Sequence, residues 1–245
     1  MPEPTLDRSF VPYLRMAGVG YLVIIVTGLF AEFFVRGSLI VPGDAGATAA
    51  NILASQSLMR VGLAGELVML ACDVMVALAL YVIFEPVNRS LALLAAFFRV
   101  VHAAVVGVNL LNNWMPLALL SRAAFLSVFE PAQLHALALL FLDAHAYGYV
   151  IGLAFFGIHC LVLGYLALRS RFVPKVLGVL LLAASLGYLI DSLGRTLLAN
   201  YDEVASIFGV IVLVPALVGE LSFCVWLIVR GAKAPRTPPT PAVAR

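Results

Sequence analysis

The sequence predicts an all-α, polytopic integral membrane helix bundle with six transmembrane helices. Two observations carry that reading. The chain is 63% hydrophobic and only 11% charged, with mean hydropathy +1.08; soluble domains run near 25% charged, so lipid is the expected solvent. Six apolar stretches each have the ~20 residues needed to cross about 30 Å of hydrocarbon. Strand-type alternation is absent, which leaves helices as the spanning structure.

The spans are read as Tyr13–Val35, Arg60–Ile83, Leu91–Leu120, Tyr147–Leu168, Pro174–Leu198 and Val204–Val229. Acidic residues precede the first of them, and it is longer than a signal-peptide core, so it is expected to stay in the mature protein. Ten cationic residues fall on the side of the N-terminus, among them Arg15, Arg89, Arg169, Arg171, Lys175 and Arg230. Arg36, Arg60, Arg122 and Arg195 fall on the other. That bias places both termini in the cytoplasm. Residues 1–232 are expected to form a single transmembrane domain, and the proline-rich segment 233–245 a disordered cytoplasmic tail.

Two outer connections carry structure of their own. Asp44 is a fitting N-cap for a short outer helix, Ala45–Met59, after the first span. It is expected to lie on the outer surface or to cap the bundle. Pro131 suits a first helical turn. A single helix from Leu134 to Leu168 would be about 52 Å long, so it must tilt, break near Gly148 or project beyond the membrane. Gly148 and Gly152 form a small-xxx-small pair that permits close helix approach. Cys72, Cys160 and Cys224 lie inside spans, and no CxxC pair points to a metal or redox site.

The third span is the most informative. At about 100° per residue, Arg99, His102, Asn109 and Asn113 fall within an arc of roughly 80° on an otherwise apolar helix. Lipid does not accept an arginine cheaply, so this stripe must face protein or trapped water. Counting about 1.5 Å per residue from the inner ends puts Arg99, Asp73, Glu220, His102 and His159 in one layer. A carboxylate partner for Arg99 is required, Asp73 first and Glu220 second. A second layer nearer the outside holds Glu32, Glu66, Asn109, Asn113, Asp191 and Arg195, with Asp143 and His145 as further members. Asp191 and Arg195 are four apart and are spaced to pair on their own helix. The layers together suggest a polar cavity open to the outside and closed below by the Arg99 cluster.

Several stretches are long and polar in unexpected places: AEFFVRGSLIVPGDAGATAANILAS, DVMVALALYVIFEPVNRSLALLAAFFR, FLDAHAYGYVIGLAFFGIHCLVLGYL, VPKVLGVLLLAASLGYLIDS and PALVGELSFCVWLIVRG. They resemble the bacterial multi-pass membrane family known as domain-of-unknown-function family 4386. The resemblance implies a prokaryotic membrane protein of the inner membrane, and no catalytic residues to carry over.

The buried stripe and its carboxylates point to a small-solute or proton-linked transporter or ligand-binding protein, with a small polar or cationic ligand. Two alternatives stay open. One is a membrane-embedded metal or haem enzyme using His102, His159 or His145. The other is an accessory or sensory membrane protein whose buried charges only hold the helices in register. No HExxH, P-loop, dinucleotide fingerprint or serine–histidine–acid pattern is present. No cofactor or metal is therefore expected. The lipid bilayer is the expected partner; nucleic acid is not, since no basic patch with interleaved aromatics exists.

Overall fold

The protein is described here from a computed structural model, in which residues 8–121 and 123–233 are described. Arg122 and residues 234–245 of the expected tail lie outside the described residues. All regular structure among the described residues is helical. Helix α1 (Val11–Leu29) runs into a π-helical segment, Phe30–Arg36, and a closing turn, α2 (Gly37–Leu39). Then come α3 (Ala45–Ala54), α4 (Gln56–Phe84), α5 (Arg89–Leu119), α6 (Pro131–Arg169), α7 (Lys175–Leu197) and α8 (Tyr201–Lys233). Six apolar helical units, starting at Val11, Gln56, Arg89, Pro131, Lys175 and Glu203, are long and apolar enough to cross a membrane. The chain is a polytopic all-α membrane bundle.

Each boundary has a local cause. Asp44 caps α3, its Oδ1 accepting the Ala47 N–H at 2.8 Å, which satisfies one of the four orphan donors of a helix start. Asn88 does the same for α5 through the Leu91 N–H at 3.0 Å. Glu130 and Gln133 form a capping box in front of α6, with Pro131 in its first turn. The short outer helix ends at Ala54 rather than Met59, because Ser55 leaves helical geometry (φ −133°, ψ 42°) and α4 begins at once. Helix α6 does not break at Gly148. Its 39 residues make a rod of about 58 Å. The end beyond the membrane is covered: Ala138 and Leu142 pack with Ala49 and Ile52 of α3, Val35, Leu39 and the end of α5. The outer helix thus caps the bundle.

The spans form a closed ring. Helices α4, α5, α6, α7 and α8 each pack on the next, and α1 packs on both α4 and α8. The outside of the ring is apolar and exposed, as at Phe97, Val108 and Leu111 of α5, whose opposite face carries buried Arg99, His102, Asn109 and Asn113. An apolar exterior around a polar interior is the pattern lipid imposes.

Lipid tails are as apolar as leucine, so helix contact relies on close packing rather than on a hydrophobic drive. Gly164 and Gly178 show how close α6 and α7 come. A Cβ on Gly178 would meet the Gly164 carbonyl oxygen at 2.9 Å, and one on Gly164 the Gly178 carbonyl oxygen at 3.0 Å. Gly178→Ala is expected to cost about 1–3 kcal/mol by overpacking. Gly65→Ala, where an added Cβ meets nothing within 4 Å, is expected to be neutral. Thermal melting in detergent tests the pair, and equal melting of both variants would refute the close approach.

Candidate functional site

Arg99 lies on the ring's inner side with no solvent exposure. Its Nη2 meets Asp73 Oδ1 of α4 at 2.7 Å. Nη1 donates to the Tyr21 hydroxyl of α1 at 2.9 Å and contacts His159 Nε2 of α6 at 3.2 Å. Its Cζ lies 4.5 Å from the Tyr21 ring centroid and 5.2 Å from that of Phe156, both within cation–π range. Three helices therefore close on a guanidinium carried by a fourth, α5. The Asp73 contact is a charge contact without an aligned N–H···O bond, so Asp73 Oδ1 and Arg99 Nε and Nη2 keep unused hydrogen-bonding capacity.

The histidines of this layer are fixed by backbone carbonyls. His159 Nδ1 lies 2.8 Å from the Ala95 carbonyl oxygen. A carbonyl only accepts, so we assign the proton to Nδ1, and Nε2 offers its lone pair to Arg99. Both nitrogens of His159 are thereby used. His102 Nδ1 faces the Gly152 carbonyl at 2.9 Å. Gly152 is glycine for a reason: a Cβ there would sit 2.6 Å from Val106 Cγ2 and 3.3 Å from His102 Nδ1.

Phe156 stands among the residues of the Arg99 cluster. Its ring centroid is 5.0 Å from His102, 5.5 Å from His159 and 5.5 Å from Tyr188. Glu220 of α8 accepts from the Tyr188 hydroxyl at 2.5 Å. Asp73, and not Glu220, is in ion-pair contact with Arg99. The inner layer joins charge and aromatic rings: Phe156 links His102 and His159 to Tyr188, which in turn holds Glu220.

The outer layer is built around Glu66 of α4, 1% exposed. Arg36 Nη1 binds its Oε1 at 2.7 Å, and Asn113 Nδ2 donates to its Oε2 at 2.8 Å. Arg36 also holds Glu32 through Nε at 2.8 Å and Nη2 at 2.7 Å. Glu32 and Arg36 are four apart within the π-helical segment, so they are neighbours on its surface. His145 Nε2 stands 3.9 Å from Glu66 Oε1. Its Nδ1 lies 3.2 Å from the Asn109 carbonyl oxygen. Asn109 Nδ2 donates to the His145 carbonyl at 2.8 Å, and Asn109 Oδ1 accepts from Asn112 at 3.0 Å. Gly148 leaves room for that amide: a Cβ there would be 2.3 Å from Asn109 Oδ1. His145 Nε2 and Asn113 Oδ1 are buried and have no aligned partner.

The sequence profile of the family described as a domain of unknown function (DUF4386) matches residues 16–231. The chain belongs to that family. An uncharacterized protein of Archaeoglobus fulgidus is 30% identical over 177 residues, covering 72% of this chain and 88% of the relative. No solved structure matches.

In this DUF4386 member the remaining sequence-read residues fall outside the two clusters. Asp143 is exposed, on the other side of α6 from buried His145. Asp191 is not ion-paired with Arg195 among the described residues. It accepts from the Tyr201 hydroxyl at 2.5 Å, and Arg195 lies 5.1 Å from the Tyr201 ring. The loop between α7 and α8 turns Tyr201 back over the end of α7, which competes with the i,i+4 pairing. No group of three His, Cys, Asp or Glu side chains among the described residues is placed to hold a metal ion. Sequence reading missed Tyr21, Phe156 and the inward role of Arg36. A tyrosine or phenylalanine among apolar residues carries no signal of its own. Arg36 was legible only as a neighbour of Glu32.

Removing one member of a buried ion pair strands the other and costs about 3–5 kcal/mol. Asp73→Leu and Arg99→Met are each expected to lose that much in thermal melts. The double variant is expected to lose less than either alone, because no charge is left in the interior. Additive losses would show that the two residues act independently.

Proposed function

We propose that this chain is a multi-pass protein of the bacterial inner membrane, with both termini cytoplasmic, that binds or carries a small cationic or polar solute in a proton-linked manner. Residues 1–232 serve as its single transmembrane domain. The observation that carries this reading is the shortage of hydrogen-bond donors beside Glu66. Glu66 Oε1 and His145 Nε2 face each other at 3.9 Å, beyond a direct hydrogen bond. Asn109 Nδ2 donates to the His145 carbonyl at 2.8 Å and lies 3.2 Å from His145 Nδ1; the Asn109 carbonyl, which only accepts, also faces His145 Nδ1. We therefore assign the imidazole proton to Nδ1, which leaves a lone pair at Nε2. Nε2 and Asn113 Oδ1 are then two unpartnered acceptors next to a carboxylate.

Buried acceptors without donors cost about 1–3 kcal/mol each. A proton on His145 Nε2, or a guest bearing N–H or O–H groups, relieves that cost. Charge points the same way. Arg36 contributes one positive charge and Glu32 and Glu66 two negative ones, so the cluster is one positive charge short of neutrality. Access is through Glu32, whose side chain is 60% exposed, while Glu66 behind it is buried. The Tyr149 ring, 5.8 Å from Arg36 and 6.2 Å from His145, completes the wall. The inner Arg99 hub closes the bundle below.

Proteoliposomes loaded with a pH-sensitive dye test the proposal, with an imposed membrane potential and methylammonium as the probe cation. Wild type is expected to take up protons or methylammonium above protein-free vesicles. Glu66→Gln and His145→Gln are expected to fall to the protein-free level while melting as folded proteins. Wild-type flux equal to protein-free vesicles, or unchanged flux in both variants, would overturn it.

A further inference from the structure

The end of the bundle where α1 begins and α8 ends holds a second feature, unconnected with the Glu66 layer. Where α6 ends and α7 begins, the chain leaves a depression of about 650 Å³ lined by Val87, Leu168, Arg169, Ser170, Arg171 and Lys175. That volume is typical of a small-ligand site. Three of its six lining residues are cationic, and none is acidic. Other cations on this face are already engaged. Arg89 pairs with Glu85 at 3.4 Å, and Arg15 Nε donates to the Gly231 carbonyl at 2.9 Å. Among the described residues no salt bridge engages Arg169, Arg171 or Lys175.

The local backbone explains why the charges gather. Lys175 donates to the Leu168 and Ser170 carbonyl oxygens, which holds its ammonium over the end of α6. Ser170 donates to the Ala167 carbonyl at 2.8 Å and accepts the Val173 N–H at 3.2 Å, so its hydroxyl shapes the loop. Lys175 is also the first residue of α7. A cation there adds to the positive end of the helix dipole instead of offsetting it. An anion is the missing complement.

Position and polarity identify which anion. Arg169 and Lys175 terminate two membrane-crossing helices, which puts the depression at the level of lipid phosphates. Val87 and Leu168 give it an apolar side. Pro174, next to Lys175, starts a groove of about 470 Å³ that includes Trp226 and Arg230. Trp at this depth suits the membrane interface. We infer that the α6–α7 turn is a binding site for an anionic phospholipid, with the phosphate against Arg169, Arg171 and Lys175 and the acyl part along the neighbouring apolar surface.

The test uses the purified full chain in detergent and its melting temperature as phosphatidylglycerol, phosphatidylcholine or inorganic phosphate is added. Phosphatidylglycerol is expected to stabilise the protein, and the other two are not. Each basic residue near an anionic lipid is worth about 1 kcal/mol, so Arg169→Gln with Arg171→Gln is expected to weaken the phosphatidylglycerol effect roughly 30-fold. Arg171→Gln alone is expected to weaken it roughly fivefold, and serves if the double variant does not fold. Arg89→Gln, on the same face outside the depression, is expected to leave it unchanged. Equal stabilisation by phosphatidylcholine, an effect undiminished in the Arg169 and Arg171 variants, or an equal loss in Arg89→Gln would overturn the site. Stabilisation by inorganic phosphate matching that of the lipid would overturn the lipid assignment.

Discussion

A guanidinium that water never reaches sets the terms for this bundle. Arg99 is fully enclosed, and a charge so placed is tolerable only with its counter-charge and donors in contact. Asp73 supplies the charge, Tyr21 and His159 take up one guanidinium nitrogen, and two aromatic rings lie close to its plane. Those contacts come from α1, α4 and α6, and Arg99 itself from α5. They fix the rotation of each helix, because turning any one of them would carry its partner away from Arg99. Tyr21 also meets Phe223 of α8 edge-on at 6.1 Å, and Phe156 meets Tyr188 of α7. All six spans are thus referred to one side chain.

The two polar layers do different physical work. Arg99 is fully enclosed by protein, and Phe156 packs against it and both neighbouring histidines. That arrangement is rigid and suits a registry role. Around Glu66 the geometry is looser: a carboxylate, an imidazole nitrogen and an amide oxygen lie close together without enough donors. The π-helical segment and the exposed Glu32 join this looser layer to the surface. This difference between the two layers is what the proposed solute site rests on.

Much of the fold was legible because its signals are local. Six apolar runs, the Asp44 cap and Pro131 ahead of α6 each act within a few residues, and each appears where the residues placed it. The stripe of Arg99, His102, Asn109 and Asn113 was legible for the same reason, since helical periodicity alone puts these residues on one face and lipid forbids that face from pointing outward. Partnering was less legible. Depth counting allowed either Asp73 or Glu220 to meet Arg99, because it says nothing about rotation. Glu220 turns to Tyr188 instead, and Asp191 to Tyr201 rather than to Arg195. Tyrosine hydroxyls compete for carboxylates, yet they read as apolar residues in a hydrophobic run.

The amino-acid sequence alone determined the solvent, the number of crossings and the need for a buried polar interior. Those follow from composition and periodicity, which are properties of single helices. The tertiary structure decided how that interior is divided. Packing of α1 on α4 and α8 brought Tyr21 to Arg99, packing of the π-helical segment on α4 brought Arg36 to Glu66, and the unbroken α6 placed Phe156 against His102 and His145 beside Glu66. Each of these depends on the relative rotation and contact of separate helices. Those are set by packing across the bundle, which no stretch of sequence contains by itself.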